Sequence, residues 1–154
     1  MNTSKSNPHQ EGAWRGNLPV ASRYSFGLAG ERFYRAIKDE GKLYGTRCNT
    51  CQRTYVPAAL FCERCLQELD TWIDVGNSGE VHTFTLLFED LDGNRKQTPE
   101  VIAFIRFGDG GLVHRLGDLN NQEVAIGMRV EAVFKPQKSR VGSIQDISYF
   151  RPAE

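Results

Sequence analysis

No stretch of this chain approaches the ~20 consecutive apolar residues that a membrane-spanning helix needs. The first twenty residues hold no apolar run of the kind that directs secretion. Net charge is absent too: 19 basic residues balance 19 acidic ones. Ten basic face eight acidic residues up to Val75, and the other nine face eleven, so neither half is a basic module. Nucleic-acid binding rests on clustered Lys and Arg that neutralise phosphates, and this balance argues against it. Neither common Gly-rich phosphate loop occurs. Histidine is scarce, at His9, His82 and His114, and none has a Ser or Cys nucleophile close by in sequence. The 154 residues, 40% hydrophobic, have the composition of one ordinary globular domain or two small ones. The expectation is a soluble, cytoplasmic protein with no membrane partner.

Cysteine is also rare, and its placement is the strongest signal in the chain. All four fall in two pairs, Cys48-Asn49-Thr50-Cys51 and Cys62-Glu63-Arg64-Cys65, ten residues apart. Each C-x-x-C pair puts two thiolates on one turn, and two turns supply a tetrahedral set of four sulfurs. The intervening Gln52–Phe61 suffices for a short hairpin that returns the second pair to the first. Zinc suits this set, since it demands only four suitable ligands. Two disulfides would need an oxidising compartment. A thioredoxin-type site normally uses one such pair at a helix start. Iron in a rubredoxin-like site uses the same sulfurs and is not separated from zinc by ligands alone. Rubredoxin-type knuckles usually carry Gly after the second cysteine, where this chain has Gln52 and Leu66. Four thiolates leave no open position, so the ion reads as structural, not catalytic.

Residues 1–27 read as an irregular N-terminal arm. Its first twelve are polar, and Trp14, Leu18, Pro19, Val20, Tyr24 and Phe26 then form an apolar set without helix or strand period. Such groups are expected against a surface, of this chain or of a partner. Residues 28–75 read as a helix plus the ribbon. Phe33 and Ile37, with Tyr34 beside them, make one stripe over Leu28–Glu40, and Gly41 is a plausible stop. A ribbon this small buries too little surface to hold itself, so the metal is expected to supply much of its folding free energy. Residues 76–154 change to β character. Expected strands are Val81–Phe88, Val101–Phe107, Leu112–Leu116, Met128–Phe134 and Ile144–Phe150, with turns at Asp92-Gly93-Asn94 and over Gly108–Gly111. Five short strands suit a small closed barrel of the OB type. The fold class is therefore mainly β: an N-terminal helix, a rubredoxin-like zinc ribbon and a five-stranded OB-fold barrel.

The order of these features resembles a known family. The helix with Phe33, Gly41-Lys42-Leu43, the two knuckles with Pro57 between them, Trp72, and Gly79-Glu80-Val81-His82-Thr83-Phe84-Thr85 follow one another. Pro99-Glu100-Val101-Ile102-Ala103 and Ile126-Gly127-Met128-Arg129-Val130-Glu131 come after them. This is similar to the zinc-ribbon OB-fold family long catalogued as a domain of unknown function, DUF35, over about Leu28 to Pro152. Two departures stand out. Members often show Pro-Pro-Arg where this chain has Val56-Pro57-Ala58-Ala59, and C-P-x-C where it has Cys62-Glu63-Arg64-Cys65. Neither removes a ligand, but the missing Arg removes whatever partner contact it makes elsewhere. The resemblance implies a small accessory subunit of a thiolase-like enzyme acting on acyl-CoA. Relatives also occur with hydratase-like and aldolase-like partners.

No catalytic constellation is legible. A thiolase needs a free nucleophilic cysteine, and all four here are spoken for as metal ligands, so a partner would supply it. The expected assembly is a hetro-oligomer with a thiolase-type acyltransferase in degradative, β-oxidation-like metabolism. Coenzyme A carries several phosphate charges. The candidate CoA or partner contacts are Arg95 and Lys96, taken as a loop between strands, and Lys135, Lys138 and Arg140, which flank another turn. The plain alternative for each loop is solvated surface. The competing function is a single-stranded nucleic-acid binder with Tyr24, Phe84, Phe88, Phe104 and Tyr149 as stacking platforms, although strand alternation points those rings at a core. A rubredoxin-like electron carrier is the third.

Overall fold

The computed structural model describes residues 24–90, 92–119 and 123–153. The expectations for Trp14, Leu18, Pro19, Val20 and His9 lie outside those residues. The expected helix forms as α1, Gly27–Asp39, and buries Ala29, Phe33, Ala36 and Ile37 along one face. It ends where the sequence signals a stop. Gly41 takes φ +66°, and its N–H bonds back to the Ala36 carbonyl at 3.0 Å. That left-handed turn closes helices and favours glycine.

A three-stranded sheet follows, ordered β2-β1-β3, from β1 (Tyr44–Arg47), β2 (Thr54–Tyr55) and β3 (Thr71–Asp74). It carries both cysteine knuckles. Thr46, fully buried, pins the chain between them: its hydroxyl donates to the Ala59 carbonyl at 2.8 Å and accepts from the Ala59 N–H at 3.0 Å. The ribbon's own cluster is small, with Cys48, Cys62 and Leu69 buried and Tyr55 and Ala59 packed against them.

The barrel comprises β4 (Ser78–Glu89), β5 (Arg95–Phe107), β6 (Gly110–Arg115), β7 (Arg129–Phe134) and β8 (Ile147–Pro152). The antiparallel order is β6-β5-β4-β7-β8, and a parallel bridge between Leu116 and Phe150 joins the two edges. This is the five-stranded OB arrangement, in which edge pairing closes the sheet. Inside it, Val81, Ile105, Val130, Ile147 and Phe150 share one cluster with Phe33 and Ile37 of α1 and Leu43 and Val56 of the ribbon. The helix therefore completes the barrel core. Fully burying Phe33 and Ile37 stabilises the fold by about 1.5–3 kcal/mol each.

Two local expectations change. The last strand begins at Ile147 rather than Ile144, because Ile144–Asp146 winds into a 3-10 turn capped by Ser143. Arg95 and Lys96 lie within β5, not in a loop. The hairpin runs that far because Asp90 closes its tip, accepting from the N–H groups of Asp92 and Asn94 at 2.9 and 2.8 Å, so Glu89 pairs directly with Arg95. Among the described residues, no helix is long and apolar enough to cross a membrane.

Candidate metal centre and barrel cleft

The four sulfurs of Cys48, Cys51, Cys62 and Cys65 all lie within 4.8 Å of one another. Cys48 and Cys65 are 3.6 Å apart, far beyond a disulfide bond. Sulfurs placed tetrahedrally at ~2.3 Å from a zinc ion stand roughly 3.8 Å apart, which this spacing fits. The two knuckles repeat one backbone pattern. The Cys48 N–H donates to the Arg53 carbonyl at 2.8 Å, and the Cys62 N–H donates to the Gln67 carbonyl at 2.9 Å. Gln52 and Leu66, which replace the usual glycines, adopt φ of 56° and 60°. The left-handed turn is kept despite its steric cost.

Electrostatics within the cluster also points to a cation. Crowded sulfurs resist full ionisation: hydrogen bonding with Cys65, then burial, pushes the Cys51 thiol up to about 12. Cys62 is drawn the other way, to about 6, first by the Tyr55 hydroxyl and then by the Cys65 backbone amide. A bound dication would relieve the conflict by stabilising all four thiolates together. The donor set is therefore a closed zinc-ribbon site, with Cys48 and Cys62 buried and Cys51 and Cys65 half-buried.

A second feature lies on the barrel. Glu100 and Ile102 of β5, His114 and Arg115 of β6, Lys135, Gln145, Ile147 and Ser148 line a cleft of about 400 Å³. OB folds bind ligands on this face, between their second and third strands and the loops beside them. Glu100 pairs with Lys96 at 3.4 Å and with Arg115 at 4.0 Å. Burial lowers the His114 pKa, and the ring packs edge-on to Phe150, 5.6 Å away.

The sequence candidates divide here. Lys135 lines the cleft, and Lys96 reaches its edge through Glu100. Arg95 turns to Glu89 at 3.7 Å. Lys138 is exposed on a 3-10 turn, Gln137–Ser139. Arg140 is engaged within the fold: its Nε donates to the Lys135 carbonyl at 2.7 Å, its Nη1 to the Lys38 carbonyl at 3.4 Å, and its guanidinium lies over Phe134. Of the rings proposed for stacking, Phe84 packs on the core. The Tyr149 hydroxyl donates to Asp118 at 2.5 Å. Tyr24 and Phe88 stay exposed.

Residues that sequence reasoning passed over hold the loop in place. Asp146 is fully buried, and its carboxylate accepts from the N–H groups of Val141, Gly142 and Ser143 at 3.0, 2.7 and 3.1 Å. Burial alone would push this carboxyl up, but the three amides more than reverse that and hold it below its ordinary value. A Ser-x-x-Asp capping box over 143–146 was the available signal. His114-Arg115 on the third barrel strand could have been added from the usual OB ligand face.

Family models match on both units. One described as the ChsH2 rubredoxin-like zinc ribbon domain covers residues 35–70, and one described as the ChsH2 C-terminal OB-fold domain covers 72–135. A DUF35 domain-containing scaffold protein of Methanocaldococcus jannaschii is 33% identical over 128 residues, spanning 80% of this chain and 90% of that protein. One of Methanothermobacter thermautotrophicus is 26% identical over 130 residues, spanning 79% and 94%. Among solved structures, a DUF35-family protein of unknown function from Sulfolobus solfataricus superposes with a TM-score of 0.62 at 26% identity, covering 82% of this chain and 84% of the other. A chain of the Ltp2–ChsH2(DUF35) aldolase superposes with a TM-score of 0.60 at 20% identity, covering 86% and 100%.

Proposed function

The chain belongs to the DUF35 family of zinc-ribbon OB-fold proteins, and from that premise we propose that it is an accessory subunit of a thiolase-type enzyme. It contributes no nucleophile of its own and helps bind or shape the site for an acyl-CoA in degradative metabolism. The observation that carries this reading is the cysteine cluster. The chain has four cysteines, and all four converge on one metal site. A thiolase's reactive thiol must then come from another chain. The names of the relatives support a scaffolding role. The Ltp2–ChsH2 assembly supplies a case in which a DUF35 chain of the same fold accompanies an enzyme. Structural zinc holds the ribbon, and reduced cysteines suit a cytoplasmic home.

Within that role, the cleft bordered by Lys96, Arg115 and Lys135 is where the phosphates of CoA would meet cations, with Lys138 three residues beyond Lys135 on an exposed turn and Arg140 holding the loop. Arg95 is the weakest candidate, since it pairs outward. Benzoylsuccinyl-CoA is the first ester to try, because the sequence resembles the small subunit of the thiolase that uses it. The test is CoA-ester affinity of the co-purified complex carrying Lys96→Ala, Lys135→Ala and Lys138→Ala. Losing three charge contacts of ~1 kcal/mol each predicts about 150-fold weaker binding. Unchanged affinity would remove the cleft from the reading. Tight, salt-dependent binding of a single-stranded oligonucleotide would favour the nucleic-acid alternative instead.

A further inference from the structure

Tyr55 sits on the short strand between the two knuckles, and its hydroxyl lies 3.2 Å from the Cys62 sulfur. The same oxygen accepts the Glu63 backbone N–H at 3.2 Å. With its acceptor side taken by that amide, the hydroxyl's own proton is free to point at the sulfur. The aim of the ring is set by bonds that do not pass through the metal site. On one side of Tyr55, the Thr54 N–H donates to the Asp109 carboxylate at 3.1 Å. On the other, the Val56 carbonyl accepts the Gly111 N–H at 2.9 Å. Both partners belong to the barrel's β5–β6 hairpin. Gly110 makes that approach possible, since a Cβ there would stand 2.4 Å from the Val56 nitrogen.

We infer that Tyr55 is a positioning residue for the ribbon's zinc, donating a hydrogen bond to the Cys62 thiolate from a hydroxyl preorganised by the barrel. Four thiolates around one dication leave a net negative site. A hydroxyl proton on one sulfur offsets part of that charge and fixes the direction of its lone pairs. Groups in this outer position typically change metal affinity by 10–100-fold when removed. The first knuckle has a backbone counterpart, the Cys51 N–H on the Cys48 sulfur at 3.3 Å. The side-chain donor is what the second knuckle adds. The barrel is thereby part of the ribbon's metal site, although it contributes no ligand.

The test is Tyr55→Phe in the full chain, which keeps the ring and removes the one oxygen. Zinc affinity is read by competition with a chromogenic chelator at neutral pH, and cobalt(II) is loaded in parallel to read the thiolate-to-metal charge-transfer band. The inference expects zinc binding at least tenfold weaker, together with a shifted charge-transfer band. Affinity within twofold of the parent chain would overturn it. So would weaker binding with an unchanged cobalt spectrum, which would make Tyr55 a packing residue. If the variant folds poorly without metal, its spectrum in excess cobalt still decides the question.

Discussion

Replacing Asp146 with Asn leaves shape and volume nearly unchanged but alters what three backbone amides find. In the native fold, Val141, Gly142 and Ser143 each donate an N–H to the buried carboxylate. Asn offers one oxygen, and its amino group would turn N–H against N–H. Bonds to a charged acceptor contribute about 1.5–3 kcal/mol each, and neutral ones about half of that. All three bonds end on Oδ2, so an Asn oxygen in that place keeps them as neutral bonds, and weakening each by about 1 kcal/mol predicts about 3 kcal/mol of destabilisation. In a chain of this size that lowers Tm by about 6–12 °C. The pH dependence gives a second reading. The folded carboxyl is held below its ordinary 3.8. Its stabilisation is therefore complete above the unfolded value and is lost as pH falls through the folded one. The gap between parent and variant should be constant from pH 7 to 5 and should close below ~3.8. Both proteins shed the same thiolate-bound metal in acid, so the difference isolates the carboxylate. Thermal melts followed by circular dichroism measure it. A gap under ~1 kcal/mol at pH 7, or one that survives at low pH, would refute the assignment of Asp146 as the loop's anchor.

Other consequences are as direct. Arg140→Ala removes two bonds to carbonyls and a cation–π contact, and should cost about 2 kcal/mol; Lys138→Ala, exposed on its turn, should leave Tm unchanged within error. Leu66 is 77% exposed in a left-handed turn, so Leu66→Gly should stabilise the ribbon by about 0.5–1 kcal/mol, read as a later chelator-induced unfolding midpoint. Chelation at neutral pH should strip hydrogen-exchange protection from the Cys48, Cys62 and Leu69 amides, while the β4–β5 ladder keeps it; equal loss in both would contradict a ribbon held mainly by its metal.

What could be read from sequence follows from how local each feature is. The metal ligands sit in two four-residue turns, so their spacing alone announces the site. The stripe of Phe33 and Ile37 and the stop at Gly41 are equally local, and α1 forms within a residue of its expected bounds. The five barrel strands are legible because each is a short run rich in β-branched, aromatic and other apolar residues set off by glycine- or polar-rich turns, with alternation from Met128 to Phe134. Strand ends were harder: β4 and β5 extend to Glu89 and Arg95 through a turn closed by Asp90. The cleft was the least legible, since Glu100, His114, Lys135 and Ser148 meet only once the sheet curls. Arg140 looked like a free surface cation, but its partners are carbonyls of α1 and of its own loop, and carbonyls leave no trace in a sequence. The role of Tyr55 is equally hidden, because its hydroxyl meets a sulfur seven residues on only once the hairpin folds back.

Native mass spectrometry of this chain, co-expressed with a thiolase-type enzyme and measured with and without CoA, tests the central claim most directly. The account predicts a mixed complex in which this chain carries one zinc and the assembly gains the mass of CoA. A solitary zinc-loaded chain that ignores both the enzyme and CoA would contradict it.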